Sequence, residues 1–556
     1  MNAEQKPTTC ILTNPRSQTR DLDSLPIPDR SLIDYESYHR FIGHAGVKHS
    51  IAVQATRGCP YRCFYCDIYK TTKHHFRRSD DHLFEEIKML ADIGIRRFEF
   101  IDDIFNVNRK QFTRFFEAVI RNNLKLQFFF PTGLKGDLLD HDLIDLMVEG
   151  GAVGVNLSLE HAAPRMQKIM RKNLDVDILK DNLEYVTTKY PQVILTLNAM
   201  HGFPTETEAE ALETLNYIQS IEWIDFPYLH NVRIFPGTEL EEFALEVGIP
   251  RELIESSQDM SYHENAPTLP FSSDFTKMVR MKFVKDYVLN RERLLSVIPR
   301  QLEQFSEDEL NQKYNSYFPN KRITTLNDVL RIARIDRSEV QPETPFAEES
   351  VRVPELNEKL RTIFPKPNKK PEKFKLMLID MSSYFSNDFD TREYNVLEPP
   401  LGLLALMSYV NRKFEGEVTG KLLKSRLDFD SFEELVEQVK EYNPDLIGFR
   451  AMTFYRAFFH DSVAALRDAG IGTPIVVGGP YPTASYEDVA KDENIDLVAV
   501  GEGENTLVDL LQVMIAAGNK LPTREVLATV DGLAYRAERA PLTVKIHDPS
   551  ISVVNL

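Results

Sequence analysis

The chain has 556 residues, 42% of them hydrophobic, a formal net charge of −18 and four cysteines. At about 150 residues per domain this is room for two to four domains with ordinary cores, which excludes a disordered chain. The acidic balance argues against non-specific binding to nucleic acid, and so few cysteines exclude a disulfide scaffold.

No apolar run approaches the roughly 18 residues that span a bilayer. The longest, LGLLALMSYV at 401–410, has the length of a buried helix. The start, MNAEQKPTTC, lacks the basic-then-apolar pattern of a secretory signal. The expectation is a soluble, cytoplasmic protein without a membrane partner.

Residues 1–50 are polar and read as an extended lead-in. Over 51–271, short apolar runs (IAVQATRG, RRFEFIDD, LQFFFPT, AVGVNLSLE, VILTLNAMHGFP, YLHNVRIFP) alternate with amphipathic helical stretches. Ser79 precedes an acidic first turn, as a helix start should. Strand–helix alternation predicts an α/β fold with a parallel sheet, and six such units suit a partial parallel β/α barrel. Residues 272–338 read as a helical region. Residues 339–373 hold six prolines (Pro342, Pro345, Pro354, Pro365, Pro367, Pro371) and read as a linker, or a segment crossing a surface without its own core.

A second alternating block fills 374–556. Its runs FKLMLIDMSSY, EVTGKLLK, PDLIGFRAMTF, TPIVVGGPYP and IDLVAVGEGEN predict five parallel strands in a doubly wound, Rossmann-like domain. The ligand of such a domain sits outside the carboxyl ends of its strands. GGPYPT (Gly478, Gly479, Pro480) and GEGEN (Gly501, Glu502, Gly503) fall there.

Three cysteines, Cys59, Cys63 and Cys66, stand in the spacing C-x3-C-x2-C directly after the first barrel strand. Structural zinc wants four closed ligands, commonly in two distant C-x2-C halves, and no second half exists. Cys10, His74 or His75 would have to complete such a site. An iron–sulfur cluster suits thiolates better. Three cysteines bind three irons of a [4Fe–4S] cube and leave the fourth open to a small chelating ligand, at the strand ends where barrel sites form.

With Tyr65 just before the last cysteine, this motif resembles the signature of the radical S-adenosylmethionine (SAM) superfamily. The resemblance implies that the open iron chelates SAM and that its cleavage yields a 5′-deoxyadenosyl radical. Further stretches resemble the family's cofactor-holding elements. FEFIDD places Asp102 beside the methionine amino group, although Asp102–Asp103 also reads as a strand-end turn or cap. VNLSLEH places Glu160 at the ribose, and HGFPTE places Gly202 at a turn flanking the adenine. Many relatives read ESG where this chain reads EHA, so the loop after Glu160 departs from the common form.

The C-terminal block resembles cobalamin-binding domains. The resemblance implies cobalamin at Thr453, Gly478, Gly479, Pro480, Gly501, Glu502 and Gly503. The cobalt-ligating His of D-x-H-x-x-G is absent, so cobalamin is expected without a protein His ligand. His460, in FFHDS, reads as packing or surface. In most relatives the cobalamin domain comes first. Here DGLAYRAERAPLTVKIHDPS closes the chain and NPRSQTRDLDSLPIPDRSLIDYE follows its start, so the domain order reads as permuted.

The expected function is a cobalamin-dependent radical enzyme, above all a C-methyltransferase. Its partners would be a small-molecule or peptide substrate and an external electron donor such as flavodoxin or ferredoxin. Radical cyclisation, ring contraction or oxidation is the enzymatic alternative, and a cobalamin-binding or sensor protein the non-enzymatic one. Methylthiotransfer needs a second cluster, for which only Cys10 remains. No acid–base residue is singled out.

Overall fold

The computed structural model describes residues 10–72, 74–258, 260, 265–318, 323–364, 370–386 and 396–537. Among these the chain divides into two units. One holds 18–364 with 396–408, and the other 10–17, 370–386 and 409–537.

The first strand, β1 (Cys10–Leu12), belongs to the second unit. The first unit contains β2 (Ser50–Val53), the short pair β3 (Thr56–Arg57) and β4 (Phe76–Arg77), and β5 (Arg97–Phe100). It continues with β6 (Gln127–Leu134), β7 (Ala152–Glu160), β8 (Ile194–His201) and β9 (Phe226–Asn231). Strands β2, β5, β6, β7, β8 and β9 pair in that order, every neighbour parallel. This is the expected partial barrel.

Each parallel step needs a helical crossover, and the sequence supplies start signals for them. Ser79 accepts from the His82 amide ahead of the helix Asp80–Asp92. Thr207 and Glu210 form a reciprocal capping box on Glu208–Gln219. The helix Arg109–Arg121 buries Phe112, Phe115, Phe116 and Val119. Its rings meet those of the sheet: Phe100 lies 5.5 Å from Phe115 and stacks at 5.2 Å on Phe130. Truncating one such ring costs about 3–5 kcal/mol.

The region 272–338 is helical and packs on this same core through Phe275, Val279, Leu294, Val297, Leu310 and Tyr314. It also contributes Glu309, which accepts from Arg97 at 2.5 Å with both side chains fully buried. A buried pair like this needs every remaining group satisfied. Arg97 meets that condition by also donating to Lys48 O, Gln304 O and Gln127 Oε1.

The proline-rich stretch departs from a coreless linker. Its helix Leu356–Ile363 and residues Val340, Val353, Leu356 and Leu360 join the first unit's core. Prolines stop regular elements but do not prevent the apolar residues between them from being buried. Pro365 and Pro367 lie outside the described residues.

The second unit holds β10 (Phe374–Asp380), β11 (Val418–Lys424), β12 (Leu446–Arg450), β13 (Ile475–Gly478), β14 (Leu497–Ala499) and β15 (Leu533–Arg536). The sheet order is β1-β15-β14-β13-β12-β10-β11. The five expected strands are parallel, and β15 and β1 add two antiparallel ones. Taken by themselves, the parallel strands follow the flavodoxin-like order, whose switch point lies between β10 and β12. The lead-in is therefore not uniformly extended. Cys10–Leu12 is a sheet strand, and Tyr35 is buried in the first unit's core. The expected closing stretch beyond residue 537 lies outside the described residues.

Candidate functional site

The cysteine loop leaves the carboxyl end of β2 and is fixed along its length. Gly58 has φ +82 and donates its amide to Asp103 Oδ2 at 2.9 Å. A Cβ at Gly58 would lie 2.2 Å from His74 O, so only glycine fits. Phe64, between Cys63 and Tyr65, is buried with Phe203, Met166, Met170 and Leu240. Its amide donates to Met170 O at 3.1 Å, and its carbonyl accepts from Leu240 N at 2.9 Å. Phe64 anchors the loop, a role the cysteine pattern did not reveal.

Burial pushes the Cys59 thiol up to about 11 and the Cys66 thiol up to about 12, and raises Cys63 too. Cys59 and Cys66 both also feel the charge of Cys63. Among the described residues no three His, Cys, Asp or Glu groups converge on a single ion. Three thiols in the C-x3-C-x2-C spacing fit a [4Fe–4S] cluster, which binds each through a different iron. Cys10 lies in β1 of the other unit, and neither His74 nor His75 joins a ligand group.

Asp102 follows β5 and is 1% exposed. Its Oδ1 accepts from Ala55 N at 2.9 Å, from Thr56 Oγ1 at 2.6 Å and from Thr56 N. Asp102 therefore ties the second strand end to the first turn of the cysteine loop. Its Oδ2 has no hydrogen-bond partner among the described residues. A buried, unsatisfied carboxylate oxygen costs free energy and is a ready acceptor for a cationic ligand group. Burial pushes this carboxyl up to about 6, with the Thr56 bonds and Arg77 opposing it. Of the two sequence readings, ligand contact or loop cap, the geometry supplies one oxygen for each.

Glu160 ends β7 at a register shift, with φ 60, a conformation that side chains other than glycine adopt at a cost. Its Oε1 accepts from Lys172 Nζ at 2.6 Å. Lys172 and Lys135 also bring positive charge to Cys63. Gly202 has φ +91, and a Cβ there would meet Leu269 Cδ2 at 2.1 Å.

The departure at EHA has a structural explanation. His161 is fully buried. Its Nδ1 accepts from the Ala163 amide at 3.1 Å, which leaves the proton on Nε2 to donate to Glu206 Oε1 at 3.0 Å. Glu206 Oε2 in turn accepts from Gly202 N at 2.6 Å and Phe203 N at 2.9 Å. His161 thus latches the end of β7 to the Gly202 turn that follows β8.

In the second unit the expected residues gather at the carboxyl ends of β12, β13 and β14. Thr453 is buried in a short turn after β12. Gly479 has φ +102, and a Cβ there would sit 3.0 Å from Ala451 O. Pro480 occupies the first turn of the helix Pro480–Ala484. Gly501 has φ +91, donates to Thr483 Oγ1 at 3.1 Å and has open space where a Cβ would be. Gly503 begins the helix Gly503–Ala516, with Glu502 at its cap position. A glycine cradle with open space fits a bulky ligand approaching the backbone.

His460 departs from plain packing. Its Nδ1 meets Asp492 Oδ2 at 2.5 Å and its Nε2 meets the Tyr481 hydroxyl at 3.1 Å. The pair fixes Tyr481 of the GGPYPT turn, and His460 takes no place at the strand ends. A charged group missed in the sequence sits at the switch point. Lys424, Asp380 and Arg450 end β11, β10 and β12 in mutual register. Asp380 Oδ2 accepts from Lys424 Nζ at 2.9 Å and Oδ1 from Arg450 Nη1 at 3.1 Å. Burial would raise this carboxyl, but the two cations hold it down to about 2.

A parallel half-barrel with a three-thiol loop at its strand ends, and a flavodoxin-like unit with glycine-lined strand ends, define a two-cofactor class of protein. Comparison with known families agrees. Residues 53–218 match the Radical SAM superfamily and residues 390–511 the B12 binding domain. The chain therefore carries a radical SAM domain followed by a B12-binding domain, which imply a [4Fe–4S] cluster, SAM and cobalamin.

The chain is 24% identical over 284 residues to the protein named Uncharacterized methyltransferase PH0819 of Pyrococcus horikoshii, covering 49% of this chain and 58% of that one. It is 26% identical over 215 residues to the anaerobic magnesium-protoporphyrin IX monomethyl ester cyclase of Cereibacter sphaeroides, covering 38% and 34%. The chain thus spans little more than half the length of one of these curated relatives and a third of the other. Among solved structures it is similar to the radical S-adenosylmethionine methyltransferase TsrM from Kitasatospora setae, with cobalamin and [4Fe–4S] cluster bound. That match has 19% identity, 38% coverage of each chain and a TM-score of 0.33.

Proposed function

We propose that the protein is a cobalamin-dependent radical SAM enzyme that transfers a methyl group to an unactivated carbon. The observation that carries this reading is the pairing, in one chain, of the three-thiol loop after β2 with a B12-binding domain. Similarity to a methyltransferase of Pyrococcus horikoshii supports methyl transfer as the outcome. When bound, the cluster with SAM supplies a 5′-deoxyadenosyl radical and cobalamin supplies a transferable methyl group.

The chain's own residues hold and orient these groups. Cys59, Cys63 and Cys66 would ligate the cluster, with Tyr65 packed beside them. Asp102 fixes the loop with one oxygen and offers the other to the SAM amino group. Glu160 offers acceptors to the ribose hydroxyls, and Lys172 orients its carboxylate. The Gly202 turn, held by His161 and Glu206, gives backbone access for the adenine. Thr453, Gly478, Gly479, Pro480, Gly501, Glu502 and Gly503 line the cobalamin cradle without a His ligand.

The partners of this reading are a small-molecule or peptide substrate and an external donor of the flavodoxin or ferredoxin type. No helix among the described residues is long and apolar enough to cross a membrane. We place the protein in the cytoplasm, whose reducing conditions keep three unpaired thiols available for a cluster.

Anaerobic reconstitution with iron, sulfide and cobalamin tests the reading. Addition of SAM and reductant should yield 5′-deoxyadenosine. Methyl-labelled SAM should pass its label to product. Deoxyadenosine without label transfer would favour the cyclisation suggested by the Cereibacter sphaeroides relative. No deoxyadenosine at all would favour a cobalamin-binding protein.

A further inference from the structure

The helix Ser273–Lys282 continues as a π-helix over Phe283–Val288, and such insertions recur at functional sites. It runs antiparallel to β9. Just ahead of its start, Phe271 stacks on His201 at the end of β8, with ring centres 6.0 Å apart. Near its far end the Tyr287 hydroxyl donates to Ile221 O at 2.6 Å and accepts from Ile224 N at 3.3 Å, ahead of β9. β9 is the last strand of its sheet and has no strand on its second side among the described residues. Between β9 and this helix lies a cavity of about 410 Å³, within the roughly 300–1,000 Å³ of small-molecule sites. Of its lining, Tyr228 alone also borders the separate cavity among β6, β7 and β8.

The lining changes character along the helix. Toward the start of β9 it is apolar, with Pro227, Val284 and Val288. Toward the end of β9 stand His201, Asn231, Lys277 and Arg280. His201 is 4% exposed and its Nδ1 has no hydrogen-bond partner, its other ring nitrogen being bonded to the Asn231 side chain. A buried polar atom left open costs free energy that a ligand can recover. Burial lowers the pKa of His201, Glu206 opposes this and Arg280 adds to it, so the ring is neutral. Glu206 is held by His161 and by the Gly202 and Phe203 amides. Neither it nor any other carboxylate lines the cavity among the described residues. Lys277 is exposed and makes no ion pair among the described residues. Over 273–288 the helix carries Lys277, Arg280, Lys282 and Lys285 against Asp274 and Asp286, a local excess of cations in a chain of net charge −18.

We infer that this groove binds an amphipathic carboxylate, its apolar chain lying along β9 and its head at His201, Lys277 and Arg280. When Nε2 of His201 accepts from the Asn231 amide, Nδ1 carries the proton and can donate to the carboxylate. The cations supply the complementary charge, and the apolar end fixes the direction of the chain. From Pro227 to Asn231 the strand rises roughly 13 Å, a length of the order of an extended decanoate. None of the three cluster cysteines lines the groove, and the inference does not rest on the methyl-transfer reading.

The test uses the full chain with cluster and cobalamin bound and SAM withheld, titrated calorimetrically with decanoate, decanol, decylamine and acetate below their micelle concentrations. Decanoate should bind about tenfold or more tightly than each of the others. Lys277→Ala, at an exposed position, should weaken decanoate about threefold. Val284→Phe, which fills the apolar end, should weaken it about tenfold, with bound iron unchanged in both variants. In a crystal of the complex the carboxylate should lie within hydrogen-bond distance of His201 Nδ1. Equal binding of decanol or decylamine would overturn the anionic head, and equal binding of acetate the apolar chain. Decanoate seated elsewhere, not bound at all, or bound equally by wild type and both variants would overturn the site. Lys277→Ala carries the test if Val284→Phe does not fold. Deoxyadenosine formation bears on the functional reading alone, because no binding measurement contains SAM.

Discussion

Replacing His161 by alanine tests the latch between the strand ends. The substitution removes the donor to Glu206 and leaves a fully buried carboxylate with only the Gly202 and Phe203 amides on its other oxygen. Loss of a charge-assisted buried bond costs about 1.5–3 kcal/mol. His161 also accepts from Ala163 N and meets the Thr214 hydroxyl, so the upper end of that range applies. His161→Gln can place an amide nitrogen near the lost Nε2 and should recover part of the loss. Hydrogen exchange is the fitting assay, because a chain with two units need not unfold in one step. Amides of β7, β8 and the Gly202 turn should lose protection in His161→Ala, while those of the second unit keep theirs. SAM affinity of the reconstituted protein should fall about tenfold or more as the turn loosens. A His161→Ala variant with stability within about 0.5 kcal/mol of wild type and unchanged protection would refute the latch.

Three further outcomes follow from the site and its surroundings. Alanine at Cys59, Cys63 or Cys66 should each abolish cluster incorporation, read as bound iron and visible absorbance, whereas Cys10→Ser should leave both unchanged; a full iron complement in Cys63→Ala would contradict this. Burial and the neighbouring Glu398 raise the Glu99 carboxyl to about 8, so the folded state holds a proton that the unfolded state has lost. Stability should therefore fall as pH rises above the usual glutamate range of about 4.5; Glu99→Gln should flatten that profile in urea titrations, and parallel profiles would count against it. In the second unit, Asp380→Ala removes the carboxylate that Lys424 and Arg450 share at the switch point and should destabilise that unit by about 3–5 kcal/mol, seen as lost protection in β10–β12, with Asp380→Asn milder. Because the wild-type Asp380 carboxyl is held low, its contribution is present above about pH 4 and lost only as pH falls through about 2.

What the sequence made legible, it made legible locally. Cys59, Cys63 and Cys66 fall within eight positions, and their spacing can be read without a fold. Strand–helix alternation is likewise a short-range pattern, so both parallel sheets were visible. The groups that were missed are joined by register. His161 and Glu206 are 45 residues apart, and Asp380 and Arg450 are 70 apart. Each of these residues ends an apolar run or sits in a loop, where a charged residue carries no signal of its own.

The placement of β1 bears on how the domain order arose. Cys10–Leu12 pairs antiparallel with Leu533–Arg536 near the other end of the described chain. Thr13 strengthens the junction: its hydroxyl donates to Val530 O at 2.8 Å and accepts from Leu533 N at 2.9 Å. Arg16 adds bonds to Asp509, Thr506 and Asp531 O. A strand pair close in space but more than 500 residues apart in sequence fits the permuted domain order read from the sequence. The β1–β15 register is one the reverse domain order would make local. It also covers the edge of β15 with a strand only three residues long, and short edge strands resist further pairing. The order of the two domains along the chain can then change without disturbing either sheet, because their strand pairings and site residues depend on register within each unit rather than on which unit is made first.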